Sequence, residues 1–137
     1  MTDCVFCRIA AGQVPSTRVY EDEQVLAFMD IGQVNPGHVL VAVKAHAENV
    51  YALEDAQLEA VARAMARIAR AIRAAFSPSG LSVYQANGAS AGQTVLHYHV
   101  HLVPRHERDG MAFTWPMQNP PREALEAHAA RIRAALS

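Results

Sequence analysis

The stretch that decides the fold of this chain is residues 92–105, with the sequence GQTVLHYHVHLVPR. Three histidines, His97, His99 and His101, alternate there with less polar residues. In a β-strand, successive side chains point to opposite faces. The pattern therefore predicts a strand over 95–103 with three imidazoles on one face and an apolar row on the other. Such a strand would separate a hydrophobic core from a groove.

The composition is that of a folded domain that acts on small molecules. The chain has 137 residues, of which 51% are hydrophobic and 18% are charged, and this excludes a disordered polypeptide. The length fits one domain spanning residues 1–137. A net charge of −1 excludes a strong nucleic-acid binder, which needs a basic excess. The absence of a long apolar run and the acidic start predict a cytoplasmic protein without a membrane partner.

The remaining secondary structure follows from the hydrophobic pattern on either side of this strand. Short β-type runs fall at 18–20, 24–29, 38–43 and 81–86. Apolar residues at three- and four-residue steps predict a long helix over 54–76, and Pro120-Pro121 opens a last helix that ends near Leu136. Most connections have hairpin length. We therefore predict an α+β fold with a five-stranded antiparallel sheet, one long helix and a carboxy-terminal helix.

The histidine row permits more than one chemistry. Paired histidines on a strand can bind zinc together with a further ligand. A neutral imidazole can instead attack a phosphorus centre directly. A histidine-rich outer face without function is the third possibility. Gly92, Gln93 and Thr94 immediately precede the row and could offer N–H groups, an amide and a hydroxyl to a phosphate. The residues alone do not choose between a metal site and a nucleophile.

Residues 92–105 resemble the signature of the histidine triad (HIT) family, in which three histidines alternate with apolar residues. The likeness extends to CVFCRI at 4–9, LAFMDI at 26–31 and PGHVLV at 36–41. Members of that family are homodimers that bind purine nucleotides and react by double displacement. The resemblance implies that His99 attacks the α-phosphorus and forms a transient nucleotidyl-histidine, which water then hydrolyses. No metal or other cofactor is required for this chemistry.

The same resemblance implies roles for the surrounding residues. His101 is the second catalytic residue, and it would contact the phosphate together with Gln93 and Thr94. Asn87 would support their loop, and Asp30 would accept hydrogen bonds from the ribose. His38 would support the nucleophilic histidine from behind. The base pocket would be lined by Phe6, Ile9, Phe28 and Ile31.

Cys4 and Cys7 form a Cys-x-x-Cys pair. In a reducing compartment such a pair indicates metal binding or redox chemistry rather than a structural disulfide. The resemblance implies one structural zinc ion per subunit, with Cys4, Cys7, His46 and His97 as ligands. An exchanging dithiol and two buried free thiols remain as alternatives.

The sequence thus predicts a nucleotide hydrolase or transferase of the histidine triad type. The expected substrate is a purine nucleoside phosphoramidate that is cleaved at its P–N bond. A dinucleoside polyphosphate hydrolase is an alternative, because only the leaving group differs. Two other classes stay open. One is a zinc-stabilised nucleotide-binding or scaffold protein with incidental turnover, and the other is a metallohydrolase that uses the histidine row as ligands.

Overall fold

The computed structural model describes residues 3–112 and 114–136. An antiparallel sheet of five strands has the order β1-β2-β3-β5-β4. Its strands are β1 (Arg18–Glu21), β2 (Val25–Met29), β3 (Val39–Val43), β4 (Gly80–Tyr84) and β5 (His99–Arg105). The helices are α1 (Val5–Ala10), α2 (Asp55–Phe76) and α3 (Arg122–Ala135), with short 3₁₀ turns at Val50–Ala52 and Ala89–Ala91. The predicted α+β architecture, with its long helix and carboxy-terminal helix, is confirmed.

The main core lies between the sheet and α2. This core contains alternate residues of β3 and β5 together with the buried stripe of α2. That stripe consists of Val61, Ala64, Ile68 and Ile72. Every residue of β3 is buried, so both faces of this strand are covered. The odd-numbered residues of β3 therefore face α2, while Leu40 and Ala42 face the opposite side.

The histidine strand is shifted relative to the prediction of 95–103. It begins at His99, because residues 95–97 form bends and the amide of Tyr98 donates to the carbonyl of Ala47 at 2.7 Å. It also continues past Val103 through Pro104 to Arg105. Pairing with β3 ends at Leu102, and the carbonyl of Pro104 accepts from the Asn35 amide at 2.7 Å. Proline is tolerated there because no neighbouring strand needs its missing N–H.

Helix α1 was not predicted from the sequence. The sulfur of Cys4 caps its first turn and accepts from the Cys7 amide at 3.4 Å. Phe6 and Ile9 form its buried face and pack against apolar side chains of β2 and β3. Arg18 holds its end by donating to the Ile9 carbonyl at 2.7 Å. Helix α1 thus covers part of the sheet face opposite α2, and this placement forms one wall of a cavity.

Among the helices of residues 3–112 and 114–136, none has the length and apolarity that crossing a membrane requires.

Truncation of the buried Leu102 side chain should destabilise the fold strongly. Leu102 is 0% exposed, and Leu102→Ala should lower the free energy of unfolding by about 2–5 kcal/mol, because it removes buried methyl groups and leaves a cavity. Urea unfolding followed by circular dichroism measures this change. The matched variant Leu58→Ala, at a position that is 41% exposed, should change it by less than about 0.5 kcal/mol. Equal losses in the two variants would contradict this description of the core.

Candidate active site

A cavity of ≈ 570 Å³ lies between α1 and the sheet, and small-molecule sites have volumes of about 300–1,000 Å³. One end is apolar, and the other presents a carboxylate, a hydroxyl and imidazoles. The apolar end is lined by Phe6, Ile9, Val14, Phe28, Leu40 and Val95. The polar end contains Asp30, Thr94, His99 and His101. This division suits a ligand with a flat apolar part and an anionic part.

The ring of His99 is held in a defined tautomer. Its Nδ1 lies 2.6 Å from the carbonyl oxygen of His97, and a carbonyl can only accept. Nδ1 therefore carries the proton of the neutral ring, and Nε2 keeps a free electron pair. The ring also packs edge-to-face against Phe6, with centroids 4.9 Å apart. His99 is thus oriented as a nucleophile or as a base.

His101 belongs to a hydrogen-bonded relay with His38. The amide of Val34 donates to Nδ1 of His38 at 3.2 Å, so the proton of neutral His38 is on Nε2. That Nε2 lies 2.9 Å from Nδ1 of His101 and 3.3 Å from an oxygen of Asp30. Nδ1 of His101 therefore accepts, and Nε2 of His101 carries a proton. His101 is prepared to donate a hydrogen bond to an anionic ligand.

This relay corrects the role predicted for His38. The prediction had His38 behind the nucleophilic histidine, whereas its ring contacts His101 instead. The group behind His99 is the main-chain carbonyl of His97. The reason is the register of the sheet, since His101 pairs with Leu40 and so lies nearer to His38 than His99 does.

Burial keeps these imidazoles neutral. Desolvation lowers the pKa of His99 and of His38 below the ordinary value of 6.5. Burial, followed by the neighbouring rings of His99 and His38, lowers the pKa of His101 to about 4. The carboxylate of Asp30 opposes these shifts without reversing them. At neutral pH, His99 is therefore unprotonated on the nitrogen that could attack an electrophile.

The other residues predicted to bind substrate are divided between the cavity and its supports. Thr94 and Ile31 line the cavity, although Ile31 is fully exposed rather than part of an enclosed slot. Gln93 is not in the lining, because its amide donates to the carbonyls of Glu48 and Val95 and accepts from the amide of Gly88. Asn87 likewise lies outside and accepts from the amide of Val50 at 2.8 Å. Both residues hold loops together.

Four potential metal ligands converge beside the cavity. The ligand atoms of Cys4, Cys7, His46 and His97 all lie within 4.8 Å of one another. Nδ1 of His97 is 3.3 Å from the Cys4 sulfur and 3.5 Å from the Cys7 sulfur. Nδ1 of His46 is 3.4 Å from the Cys7 sulfur. A zinc tetrahedron with ordinary bond lengths has sulfur–nitrogen edges of about 3.5 Å, and these three distances agree with that value.

The protonation of His97 also suits metal binding. Its Nε2 contacts the carbonyl oxygen of Val43, which requires a proton on that nitrogen and leaves the electron pair of Nδ1 directed at the two sulfurs. Without a cation, burial and then the contact with Cys4 raise the pKa of Cys7 to about 11. An exchanging dithiol needs a lowered thiol pKa, so the geometry and charge favour the metal site over the redox alternative.

A second cluster, formed by Asp30, His38 and His101, does not have the protonation of a metal site. The nitrogen of His38 that faces Asp30 is the one that carries the proton, because the Val34 amide occupies the other nitrogen. Coordination would require this proton to leave a neutral imidazole. We therefore interpret the cluster as a hydrogen-bond relay.

Sequence reasoning missed several residues that shape the site. Gln33 accepts from the amides of Gly37 and His38, both at 3.0 Å, and so fixes the loop between β2 and β3. Val14 and Val95 add apolar surface to the cavity. Tyr84 lies next to His101, with ring centroids 5.8 Å apart. No periodic pattern marks these residues, because each comes into position through a loop or through strand pairing.

The comparisons with known proteins agree with this geometry. The HIT domain profile matches residues 11–108. The Bacillus subtilis Protein hit is 51% identical over 114 residues, which are 82% of this chain and 79% of that relative. A crystal structure of a HIT family member from Bacillus subtilis superposes with a TM-score of 0.94 at 45% identity, covering 98% of each chain.

Other relatives have names that state an activity or a ligand. An adenosine 5'-monophosphoramidase from Schizosaccharomyces pombe is 34% identical over 82% of this chain and 83% of its own length. An adenylylsulfatase from Arabidopsis thaliana is 32% identical over 90% of this chain and 61% of its own length. A zinc-bound histidine triad protein from Mycobacterium smegmatis superposes with a TM-score of 0.76 at 35% identity, covering 98% of this chain and 99% of the other. By its sequence, its fold and its histidine site, this chain belongs to the HIT domain family.

Proposed function

We propose that this protein hydrolyses purine nucleoside phosphoramidates, or transfers their nucleotidyl group, by attack of His99 on the α-phosphorus. The observation that carries the proposal is the 2.6 Å contact between Nδ1 of His99 and the His97 carbonyl in the wall of a ligand-sized cavity. This contact commits the ring to the tautomer with a free electron pair on Nε2. A neutral, oriented imidazole is what nucleophilic catalysis at phosphorus requires.

The reaction proceeds in two steps, transfer of the nucleotidyl group to His99 and its hydrolysis. In the first, Nε2 of His99 forms a bond to the α-phosphorus while the bond from phosphorus to the leaving amine breaks, and the departing nitrogen takes a proton from solvent. In the second, a water oxygen bonds to phosphorus, the bond to His99 breaks and its electron pair returns to Nε2. The water proton is released, and the product is the nucleoside monophosphate. Nε2 of His101 donates to the phosphoryl oxygens throughout and stabilises their charge.

The remaining residues of the cavity bind and orient the nucleotide. The apolar end, with Phe6 and Phe28 only 5.3 Å apart between ring centroids, holds the base. Asp30 lines the cavity and accepts from the ribose hydroxyls, because a carboxylate has about four acceptor sites and only the Gly32 amide, at 2.9 Å, and His38 use them within the described part of the fold. Thr94 contributes a hydroxyl to the phosphate. Gln93 and Asn87 act through the loops that they hold rather than through direct contact.

Two family relatives support a nucleotide hydrolase of this kind. One has the name of an adenosine 5'-monophosphoramidase and the other that of an adenylylsulfatase, and both names refer to an adenosine nucleotide as the substrate. A dinucleoside polyphosphate would react by the same steps with a nucleotide as the leaving group. The identity of that leaving group is the part of the proposal that the histidines do not determine.

We also propose that zinc occupies the cluster of Cys4, Cys7, His46 and His97, one ion per subunit. The sulfur–nitrogen distances and the tautomer of His97 support it, and a zinc-bound relative adds to them. When bound, the ion would have a structural role, because four protein ligands leave no position for water or substrate. Its ligands would anchor α1, whose Phe6 and Ile9 line the cavity.

A homodimer and a cytoplasmic location complete the proposal. Strands β1 and β4 are the edges of the sheet, and unpaired edges favour pairing with another chain. Helix α3 buries none of its own side chains, and its Leu125 and Ile132 are 54% and 64% exposed. A second copy of the chain would cover such surfaces. The location rests on the composition and on the Cys-x-x-Cys pair, because metal binding by cysteines suits a reducing compartment.

Replacement of His99 should abolish turnover without preventing nucleotide binding. His99→Ala should lower kcat for adenosine 5'-phosphoramidate by more than about 10³-fold, because the nucleophile is lost. Mass spectrometry of wild-type protein quenched during turnover should show an adenylyl adduct on His99.

The control for this variant is His106→Ala, which removes an exposed histidine outside the cavity and should retain full activity. Full activity of His99→Ala in a folded, nucleotide-saturated sample would contradict the mechanism. Tight nucleotide binding by the wild type with neither turnover nor an adduct would instead favour a binding or scaffold protein.

The pKa shifts predict that the active-site imidazoles remain neutral in mildly acidic solution. A lowered pKa means that the neutral, nucleophilic form of His99 persists below pH 6.5 and is lost only when the pH falls further. Imidazole ¹⁵N NMR should show His99 titrating below pH 6.5 and His101 titrating near pH 4. The same spectra should place the proton of His99 on Nδ1. A midpoint for His99 at or above pH 6.5 would contradict the burial argument.

Loss of the cysteine ligands should remove the metal and loosen α1. The variant with Cys4→Ser and Cys7→Ser should fall from about one zinc per chain to near zero by elemental analysis, with a lower Tm and a higher KM. His106→Ala, at an exposed histidine outside the cluster, should keep its zinc.

Retention of one zinc per chain in the cysteine variant would contradict this ligand set. Brief chelation of the wild type also tests the metallohydrolase alternative. An enzyme with catalytic metal loses its activity at once, whereas a histidine nucleophile continues to work until the fold loosens.

A further inference from the structure

We propose that Gln33 is a positioning residue that keeps the proton of His101 directed at the phosphate. This inference rests on the proposed function and extends it from the cavity to the loop between β2 and β3. Gln33 is not among the residues that line the cavity. It acts through the tautomer of His38, which determines the nitrogen of His101 that carries a proton.

The carboxamide of Gln33 uses its full hydrogen-bonding capacity within residues 30–38. Its Oε1 accepts from the main-chain amides of Gly37 and His38, each at 3.0 Å. Its Nε2 donates to the main-chain carbonyls of Asp30 and His38, the latter at 2.7 Å. Main-chain amides only donate and carbonyls only accept, so the orientation of the carboxamide is unambiguous. Gln33 thus ties the first residue of the loop to the last.

The loop needs such a constraint to keep one conformation. Residues 30–38 join β2 to β3 and include two glycines. Gly37 has a φ of +96°, and a Cβ there would lie only 2.9 Å from the ring of Phe76. Glycine has more conformational freedom to lose on folding than any other residue. Hydrogen bonds to both ends of the loop therefore compensate for a main chain that is intrinsically flexible.

The loop held by Gln33 selects the tautomer of His38. Val34 follows Gln33 directly, and its amide donates to Nδ1 of His38 at 3.2 Å. The amide of Asp30 donates to the carbonyl of His38 at 3.1 Å, and an oxygen of the Asp30 carboxylate lies 3.3 Å from Nε2 of His38. A donor at Nδ1 and an anionic acceptor at Nε2 both place the proton of His38 on Nε2.

The proton of His101 depends on this tautomer. Nε2 of His38 lies 2.9 Å from Nδ1 of His101, so His101 accepts there and carries its own proton on Nε2. In the opposite pair of tautomers, His101 would donate to His38 and would present an electron pair to the phosphoryl oxygens. Loss of Gln33 should therefore weaken the binding of the phosphate more than the binding of the nucleoside.

Imidazole ¹⁵N NMR of the full chain at neutral pH tests the tautomers directly. In the wild type, His38 and His101 should both carry their proton on Nε2. Gln33→Glu keeps an acceptor for the two amides but cannot donate to the two carbonyls, whereas Gln33→Ala removes all four bonds. In either variant, part of the His101 population should move its proton to Nδ1. An unchanged His101 tautomer in Gln33→Glu, or a wild-type proton on Nδ1, would overturn the proposal.

Nucleotide affinity shows whether the effect passes through His101. Gln33→Ala should weaken the binding of adenosine 5'-monophosphate by about 10-fold and that of adenosine by less than about 3-fold, because a hydrogen bond to a charged group is lost. In the His101→Ala background, the same substitution should leave the ratio of the two affinities nearly unchanged. An equal change of this ratio in both backgrounds would mean that Gln33 only stabilises the loop, and would overturn its positioning role.

Gln13→Ala is the matched control. Gln13 is an exposed glutamine in the loop after α1, outside the cavity lining, the two edge strands and α3. Its replacement should change neither the tautomers nor the two affinities. None of these measurements requires turnover. A wild type with the expected tautomers that hydrolyses no phosphoramidate would contradict the proposed function alone, so the two failures are distinguishable.

Discussion

The site depends on the bonds made by a single buried residue, His97. Its side chain is completely buried, with Nε2 donating to Val43 of the central strand and Nδ1 directed at two cysteine sulfurs. Its main-chain carbonyl accepts from the ring of His99. The core strand, the cysteine cluster and the nucleophile are therefore joined through one residue. Displacement of His97 would disturb all three, although His97 itself does not line the cavity.

The burial of the histidine row sets its chemistry. Imidazoles removed from water lose the stabilisation of their charged form, and this lowers the pKa of His99 and His101. Because a buried polar ring without a hydrogen bond is unfavourable, each ring has an acceptor or donor within the fold. The same hydrogen bonds that satisfy these rings also select their tautomers. Stability and reactivity thus impose the same arrangement, in which His99 keeps a free electron pair and His101 keeps a proton.

Much of the fold could be predicted from local patterns. The alternation of histidines with less polar residues up to His101 predicted the two faces of β5. The recurrence of apolar residues every three or four positions between Val61 and Ile72 predicted the buried stripe of α2. The bounds of β5 and the existence of α1 were not predicted. Helix α1 is only six residues long and is stabilised by a sulfur cap, by Arg18 and by packing on the sheet. Short helices of this kind have little intrinsic stability, so their sequence shows no clear period.

The sequence by itself determined the kinds of side chain available and the faces on which they lie, because strand and helix periods are local properties of the chain. It therefore indicated a histidine row, a cysteine pair and an apolar core. Only the tertiary structure decided which partners meet. His38 contacts His101 across 63 positions of the chain, and Gln93 contacts Glu48 across 45. Such contacts depend on strand order and register, which a periodic pattern does not encode.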